Sequence, residues 1–297
     1  LLRIFLGKID FVIKQAIIFF NLIGLYVINY YLRKPSYQKN NEMRVVMLGS
    51  GNAATVLCKL IKNAGHEIVQ IVSRNEEHTK TLATLYQGTT ASINTPEFAS
   101  ADIYIMALHD AALDNIESIP ALKNKFVVHT SGAVSISALK DCTKTYGVLY
   151  PMQTLSKLSD HIPKIPFLID GNNQETRHRV LGFAKSLSDI VIESDDNQRL
   201  NYHVAAVFVS NFTNHLYALT ESFCKKERLD FANLLPLIDE INLRVHTISP
   251  AQSQTGPAIR NDIFILNKHL QALSATPEMK YIYLKLTESI IKFYGIR

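Results

Sequence analysis

Residues 44–54 read Arg44-Val45-Val46-Met47-Leu48-Gly49-Ser50-Gly51-Asn52-Ala53-Ala54, and an apolar stripe of Val56, Leu57, Leu60, Ile61 and Ala64 follows. A short apolar run breaks into Gly-x-Gly-x-x-Ala and then into helical periodicity, so the stretch predicts strand, turn and helix. Each small residue has a backbone task. Gly49 permits the tight turn, Gly51 lets the main chain approach a pyrophosphate, and Ala54 lets the helix pack close to the strand. The helix N-terminus adds unpaired N–H groups and the positive end of its dipole. Gly49, Ser50, Gly51, Asn52 and Ala53 are therefore expected to cradle the phosphates of a dinucleotide.

Moving outward, Glu67 to Ser73 reads as a second strand and Glu76 to Tyr86 as a helix, which completes a β-α-β unit. Further strands are expected over Asp102–Ala107, Lys125–His129, Thr145–Tyr150, Pro166–Asp170 and Ile190–Ile192. Beyond Asp195 long helical periodicities take over, at Asn197–Lys226, Phe231–Thr247, Arg260–Leu273 and Pro277–Tyr294. The expected fold is α/β: a Rossmann-like, doubly wound, mostly parallel sheet followed by an all-helical C-terminal domain. The expected divisions are an N-terminal extension over 1–42, a dinucleotide-binding domain over 43–194, and a helical substrate and dimerisation domain over 195–297.

The 297 residues are 47% apolar, which suits a globular chain with an ordinary core. The net charge of +5 is spread along the sequence without a run of five or more Lys/Arg, so a nucleic-acid footprint is not indicated and small anionic ligands suit it. Three cysteines, Cys58, Cys142 and Cys224, lie far apart, so neither a disulfide framework nor a metal site is expected. A reducing, cytoplasmic setting fits. From Gln15 to Leu32 no charge occurs, a length near the lower limit for a membrane-spanning helix. Met43 stands directly before the first strand, and the preceding segment reads as an over-extended reading frame. The alternative is a membrane anchor or an uncleaved signal segment, with membrane association only if residues 1–42 are genuine.

In this fold an acid at the end of the second strand would hold the ribose 2′-hydroxyl of NAD. Here that strand ends in Ser73-Arg74-Asn75. Arg74 can pair with a 2′-phosphate and stack on adenine while Ser73 adds a hydrogen bond, so NADP is expected. Glu76 and Glu77, just beyond, leave NAD open. The later strand ends, where ligands of open α/β sheets bind, carry Leu108-His109-Asp110, His129-Thr130-Ser131-Gly132 and Tyr150-Pro151-Met152. His109 is a candidate beside the nicotinamide, its alternative being a solvated loop histidine. Ser131 and Gly132 offer a hydroxyl and exposed N–H groups to a substrate carbonyl or carboxylate, whereas His129 reads as a core or capping histidine.

On the first long helix His203, Val207, Ser210 and Asn214 follow at i, i+4, i+7 and i+11 and share a face, with Asn211 beside them. The run Ala205-Ala206-Val207-Phe208-Val209 suggests a buried helix, so this polar stripe is expected to line a cleft. His203 is then the candidate proton donor and Asn211 its orienting or substrate-binding neighbour; a buried structural histidine is the alternative. Arg260, after Gly256-Pro257 and before Asp262, is a candidate clamp for a substrate carboxylate, against a plain Arg-Asp surface pair.

Gly49-x-Gly51-x-x-Ala54, His129-x-Ser131-Gly132, Tyr150-Pro151-Met152-Gln153-Thr154, Tyr202-His203-x-Ala205-Ala206 with Ser210-Asn211, and Thr255-Gly256-Pro257-Ala258-x-Arg260-x-Asp262 occur in this order. In this the chain from Met43 resembles Rossmann-like oxidoreductases carrying a C-terminal domain of unknown function, within the 6-phosphogluconate dehydrogenase-like superfamily. It is more distantly similar to pyrroline-5-carboxylate reductase, prephenate dehydrogenase and the β-hydroxyacid dehydrogenases. The resemblance implies hydride transfer, a substrate held between the two domains, and a homodimer formed through the helical one. Two departures matter. The helix offers His203 and Asn211 where β-hydroxyacid dehydrogenases place a lysine, and Tyr150 stands where prephenate dehydrogenases have a histidine. The expected activity is hydride transfer between NADP and a small carboxylate-bearing carbonyl, hydroxy or imine compound. The competing reading is a non-catalytic NADP-binding sensor or interaction protein.

Overall fold

The computed structural model describes residues 42–92, 97–114, 116, 119–159 and 161–296. The extension expected over 1–42, with its reading-frame and membrane alternatives, lies outside the described residues as far as residue 41. Among the described residues no helix is long and apolar enough to cross a membrane, and no group of His, Cys, Asp and Glu is arranged to hold a metal ion. No disulfide joins the three cysteines, all of which are buried.

The chain opens with β1 (Arg44–Leu48), α1 (Asn52–Asn63), β2 (Glu67–Ser73), α2 (Glu76–Tyr86) and β3 (Thr89–Ser92). It continues through β4 (Ile103–Met106), α3 (Asp110–Asp114), β5 (Phe126–His129), β6 (Thr145–Pro151), β7 (Phe167–Gly171), α4 (Gln174–Leu187) and β8 (Val191–Glu193). These strands form one sheet in the order β3-β2-β1-β4-β5-β6-β7-β8. All pairings are parallel except β6 with β7. The exception has a simple cause. Every parallel return needs a long crossover, whereas the described residues between β6 and β7 hold no helix, and the chain comes back antiparallel.

Both sheet faces are covered, which is why Val45, Val46, Met47 and Leu48 are all fully buried rather than alternating. Val45 and Met47 pack with Leu57 and Ile61 of α1 and with Val180, Phe183 and Ala184 of α4. Val46 and Leu48 face the opposite layer, with Tyr104, Met106, Leu113, Leu122 and Leu139. The order reverses between β1 and β4, so their C-terminal ends open a crevice at the topological switch point. Strand β3 has no counterpart in the sequence reading. Its Thr-Thr-Ala-Ser edge is polar and mostly exposed, so it carries none of the apolar alternation that marks a strand.

The first compact unit runs to His203, within α5 (Asp196–Ala206). The second begins at Val204 and contains a π-helical segment over Val207–Phe212, α6 (Thr213–Lys226), α7 (Leu235–Arg244), α8 (Ile263–Ala272) and α9 (Pro277–Phe293). Two expectations need correction here. The helix around Ala205–Val209 is not buried, since Phe208 is 63% and Val209 76% exposed. The π-helical segment also interrupts the 3.6-residue period on which a common face for His203, Val207, Ser210 and Asn214 depended. Apolar composition marked these residues for burial without saying by what.

Candidate active site

The glycine turn sits at the C-terminal end of β1. Gly49 has φ +124°, a left-handed conformation, and an added Cβ would lie 2.3 Å from the Ala107 carbonyl oxygen at the end of β4. Only glycine fits there. Gly51, by contrast, faces open space, with nothing within 4 Å of where a Cβ would be. Helix α1 starts immediately after it with no side-chain cap and no acid in its first turn. The N–H and hydroxyl of Thr55 both donate to the Gly51 carbonyl at 2.9 Å, while the N–H groups of the preceding turn have no place in the helical ladder. A cramped glycine, an open glycine and uncapped donors with no acid to repel an anion fit a pyrophosphate.

The hydroxyls of Ser50 and Ser73 are 2.9 Å apart, linking this turn to the end of β2. Arg74 is exposed and has no ion pair among the described residues. Asn75 caps α2 by accepting from the His78 N–H at 2.9 Å. Glu76 and Glu77 then lie inside the first turn of α2, where the helix dipole favours acids, and Glu76 meets Lys80 at 3.7 Å. Asn52 uses its side chain elsewhere: its Oδ1 accepts from the Lys157 N–H at 3.2 Å, which ties the loop after β6 to the glycine turn. What Asn52 and Ala53 offer a phosphate is therefore main-chain N–H. His109 is exposed and opens α3, its carbonyl accepting from the N–H groups of Ala112 and Leu113.

A second constellation forms at the ends of β5 and β6. Tyr150 Oη and His203 Nδ1 are 2.9 Å apart, with the rings edge to face. Gly132 lies directly against both, because an added Cβ would fall 2.8 Å from His203 Nδ1 and 2.8 Å from Tyr150 Cζ. Burial pushes the Tyr150 phenol up, and the charge of Asp110 pushes it further the same way. Ser131 is buried, and its hydroxyl oxygen accepts from the N–H groups of Ala133 (3.1 Å) and Val134 (3.0 Å), leaving its own O–H to donate.

Beneath lies His129, fully buried. Its Nδ1 accepts from the Ser131 N–H at 3.2 Å, and its Nε2 has no partner among the described residues. Burial, reinforced by the Arg199 charge, pulls this imidazole down to about 4 against the opposing pull of Asp196 and Asp110, so it is neutral at ordinary pH.

The start of α5 completes the set. Asp196 accepts from the Ser135 hydroxyl at 2.5 Å and the Ile136 N–H at 3.1 Å. Arg199 Nη2 donates to the Val134 carbonyl at 2.6 Å and to Asp196 Oδ1 at 2.7 Å. Burial alone would raise the Asp196 carboxyl, but the bonds from Ser135, Ile136 and Arg199 outweigh it and hold it below the usual carboxylate range. Tyr150, Asp196 and Arg199 were not among the residues singled out from the sequence. Tyr150 stood in a quoted motif, and the Asp-x-x-Arg spacing was visible, but a lone Arg at a helix start reads as solvated.

Among the sequence candidates the structure thus brings Ser50 to Ser73, and Gly132 to His203. Asn211 and Arg260 belong to the helical unit. Asn211 is exposed within the π-helical segment. Arg260 is exposed and unpaired among the described residues. Asp262 caps α8 by accepting from the Ile265 N–H at 3.1 Å, so its carboxylate already serves the helix start.

Residues 44–132 match the family described as NADP oxidoreductase, coenzyme F420-dependent, and residues 165–290 match a domain of unknown function, DUF2520. None of the curated proteins matches the chain. Among solved structures, a Bacteroides fragilis protein provisionally assigned as an NADP oxidoreductase is 37% identical, with a TM-score of 0.79 over 84% of this chain and 98% of its own. A Thermotoga maritima protein is 20% identical (TM-score 0.64, 82% of this chain and 99% of its own). Pyrroline-5-carboxylate reductase from Streptococcus pyogenes is 16% identical (TM-score 0.55, 84% and 98%). The last two share the fold. With the cradle, the sheet order and these matches together, the chain belongs to the family of NADP oxidoreductases that join a dinucleotide-binding domain to a C-terminal DUF2520 domain.

Proposed function

We propose that the protein catalyses hydride transfer between NADP and a small carboxylate-bearing carbonyl, hydroxy or imine compound, with His203 as acid/base. The observation that carries this reading is the Tyr150–His203 hydrogen bond of 2.9 Å, packed onto Gly132 at the sheet edge that also carries the glycine turn. The nicotinamide, when bound, supplies or accepts the hydride. Gly49, Ser50, Gly51, Asn52 and Ala53 hold the pyrophosphate, and Ser73 with Arg74 takes the 2′-phosphate. The unpaired Arg74 favours NADP over NAD, as does the use of Glu76 and Glu77 by the helix start.

In the reductive direction the protonated His203 gives its Nε2 proton to the substrate oxygen or nitrogen. Its Nδ1–H stays bonded to the Tyr150 oxygen, which fixes ring and tautomer. In the oxidative direction Nε2 takes that proton back. The Ser131 O–H and Gly132 N–H orient the reacting group. In the helical unit Arg260 takes the substrate carboxylate and Asn211 orients His203 or the substrate.

The test is NADPH oxidation against keto acids and cyclic imines, with NADH in parallel. We expect turnover on at least one class and a preference for NADPH that drops when Arg74 is changed to Ala. Tight NADPH binding without turnover on any compound supports the sensor instead. We also propose that a second copy covers the helical unit, where Leu237, Phe264 and Phe293 are 59%, 67% and 74% exposed. A solution mass of one chain at micromolar concentration contradicts this.

A further inference from the structure

Asp196, Arg199 and His203 follow one another at spacings of three and four, so they share one face of α5. That face meets the segment after β5 at successive levels. Asp196 holds the Ser135 hydroxyl and the Ile136 N–H, Arg199 holds the Val134 carbonyl, and His203 closes over Gly132 onto Tyr150. Arg199 is 1% exposed, and its Nε and Nη1 have no partner among the described residues. Such burial is expensive, and replacing Arg199 and Asp196 together by apolar side chains of similar volume would serve stability as well or better. A guanidinium does what an apolar residue cannot: its planar fork fixes a direction, here between the Val134 carbonyl and Asp196.

We propose that Arg199 is a positioning residue whose brace to Val134 and Asp196 sets the rotation of α5 and so holds His203 in one tautomer against Tyr150. This rests on the acid/base reading of His203 for its catalytic consequence, though not for its structural one.

The experiment uses the full chain labelled with 15N-histidine. It compares wild type, Arg199→Met, Arg199→Lys and Asp196→Asn, with the His203 signals assigned through His203→Asn. Wild type should show His203 as a single Nδ1–H tautomer. Arg199→Met should lower the thermal midpoint, because the Val134 carbonyl and Asp196 lose their donor, yet fold with an NADPH dissociation constant within about twofold and show averaged His203 tautomers. Its kcat should fall on the order of 10- to 100-fold with KM for NADPH unchanged, the cost of a misplaced group. Arg199→Lys, which keeps a donor for Val134, should restore most of the single-tautomer pattern, and Asp196→Asn should loosen it. An unchanged His203 pattern in folded Arg199→Met overturns the brace; if that variant does not fold, an unchanged pattern in Asp196→Asn does so. Full turnover in His203→Asn would instead discard the acid/base reading while leaving the brace intact.

Discussion

The sheet unit and the helical unit use apolar residues in opposite ways. In the first, Val45 to Leu48, Leu57, Ile105 and Val128 are sealed from water, and the polar residues buried with them include Ser50, His129, Ser131 and Arg199 of the candidate site. In the second, Leu237, Leu243, Phe264, Tyr281 and Phe293 stand exposed on amphipathic helices, and Cys224, Ala258, Leu266 and Leu273 are the buried apolar residues. A unit that hides its apolar surface leaves little of it for association, whereas one that shows it presents the kind of surface on which the proposed second copy rests.

The sharpest way to test this contrast is to cut each region at one residue. Leu57→Ala opens a cavity under the sheet and should cost about 2–5 kcal/mol in chemical denaturation. His129 carries the next largest effect. Its folded value of about 4 lies below the ordinary 6.5, so the native state binds fewer protons than the unfolded chain between those values. Stability from this group is full above pH 6.5 and is lost as pH falls toward 4, by about 3 kcal/mol. Denaturation of wild type and His129→Gln across that range checks it: the variant should show a correspondingly shallower pH dependence.

Gly49→Ala should cost about 2 kcal/mol or more, through both its positive φ and the Ala107 carbonyl. Gly51→Ala should leave the melting temperature near wild type while weakening NADPH binding, because its Cβ would occupy only the space a phosphate needs. Equal melting losses for the two glycines would break the distinction. Smallest in stability is Leu237→Asp, expected to change the isolated fold by only about 0.5 kcal/mol but to shift the solution mass toward a single chain.

The same contrast explains what could be read from the sequence. The strand-turn-helix at Arg44–Asn63 and the helix Glu76–Tyr86 were legible because short apolar runs, glycines and helical period all agreed there. The polar edge strand Thr89–Ser92 was not, and neither was the antiparallel turn-back of β7, which depends on a connection rather than a pattern. At the site, His203, Ser131 and Gly132 were visible as polar residues at strand ends and on an apolar helix. Arg199 was not, since a buried arginine looks like a solvated one until the carbonyl it serves is seen. Nor could periodicity anticipate the π-helical segment after Ala206.

The most direct measurement is a single-turnover comparison of wild type and His203→Asn at saturating NADPH, with a substrate identified from the keto acid and imine panel. Loss of hydride transfer on the order of 100- to 1,000-fold, with the NADPH dissociation constant unchanged within about twofold, is the predicted result. A variant that binds NADPH normally and transfers hydride at the wild-type rate would contradict it.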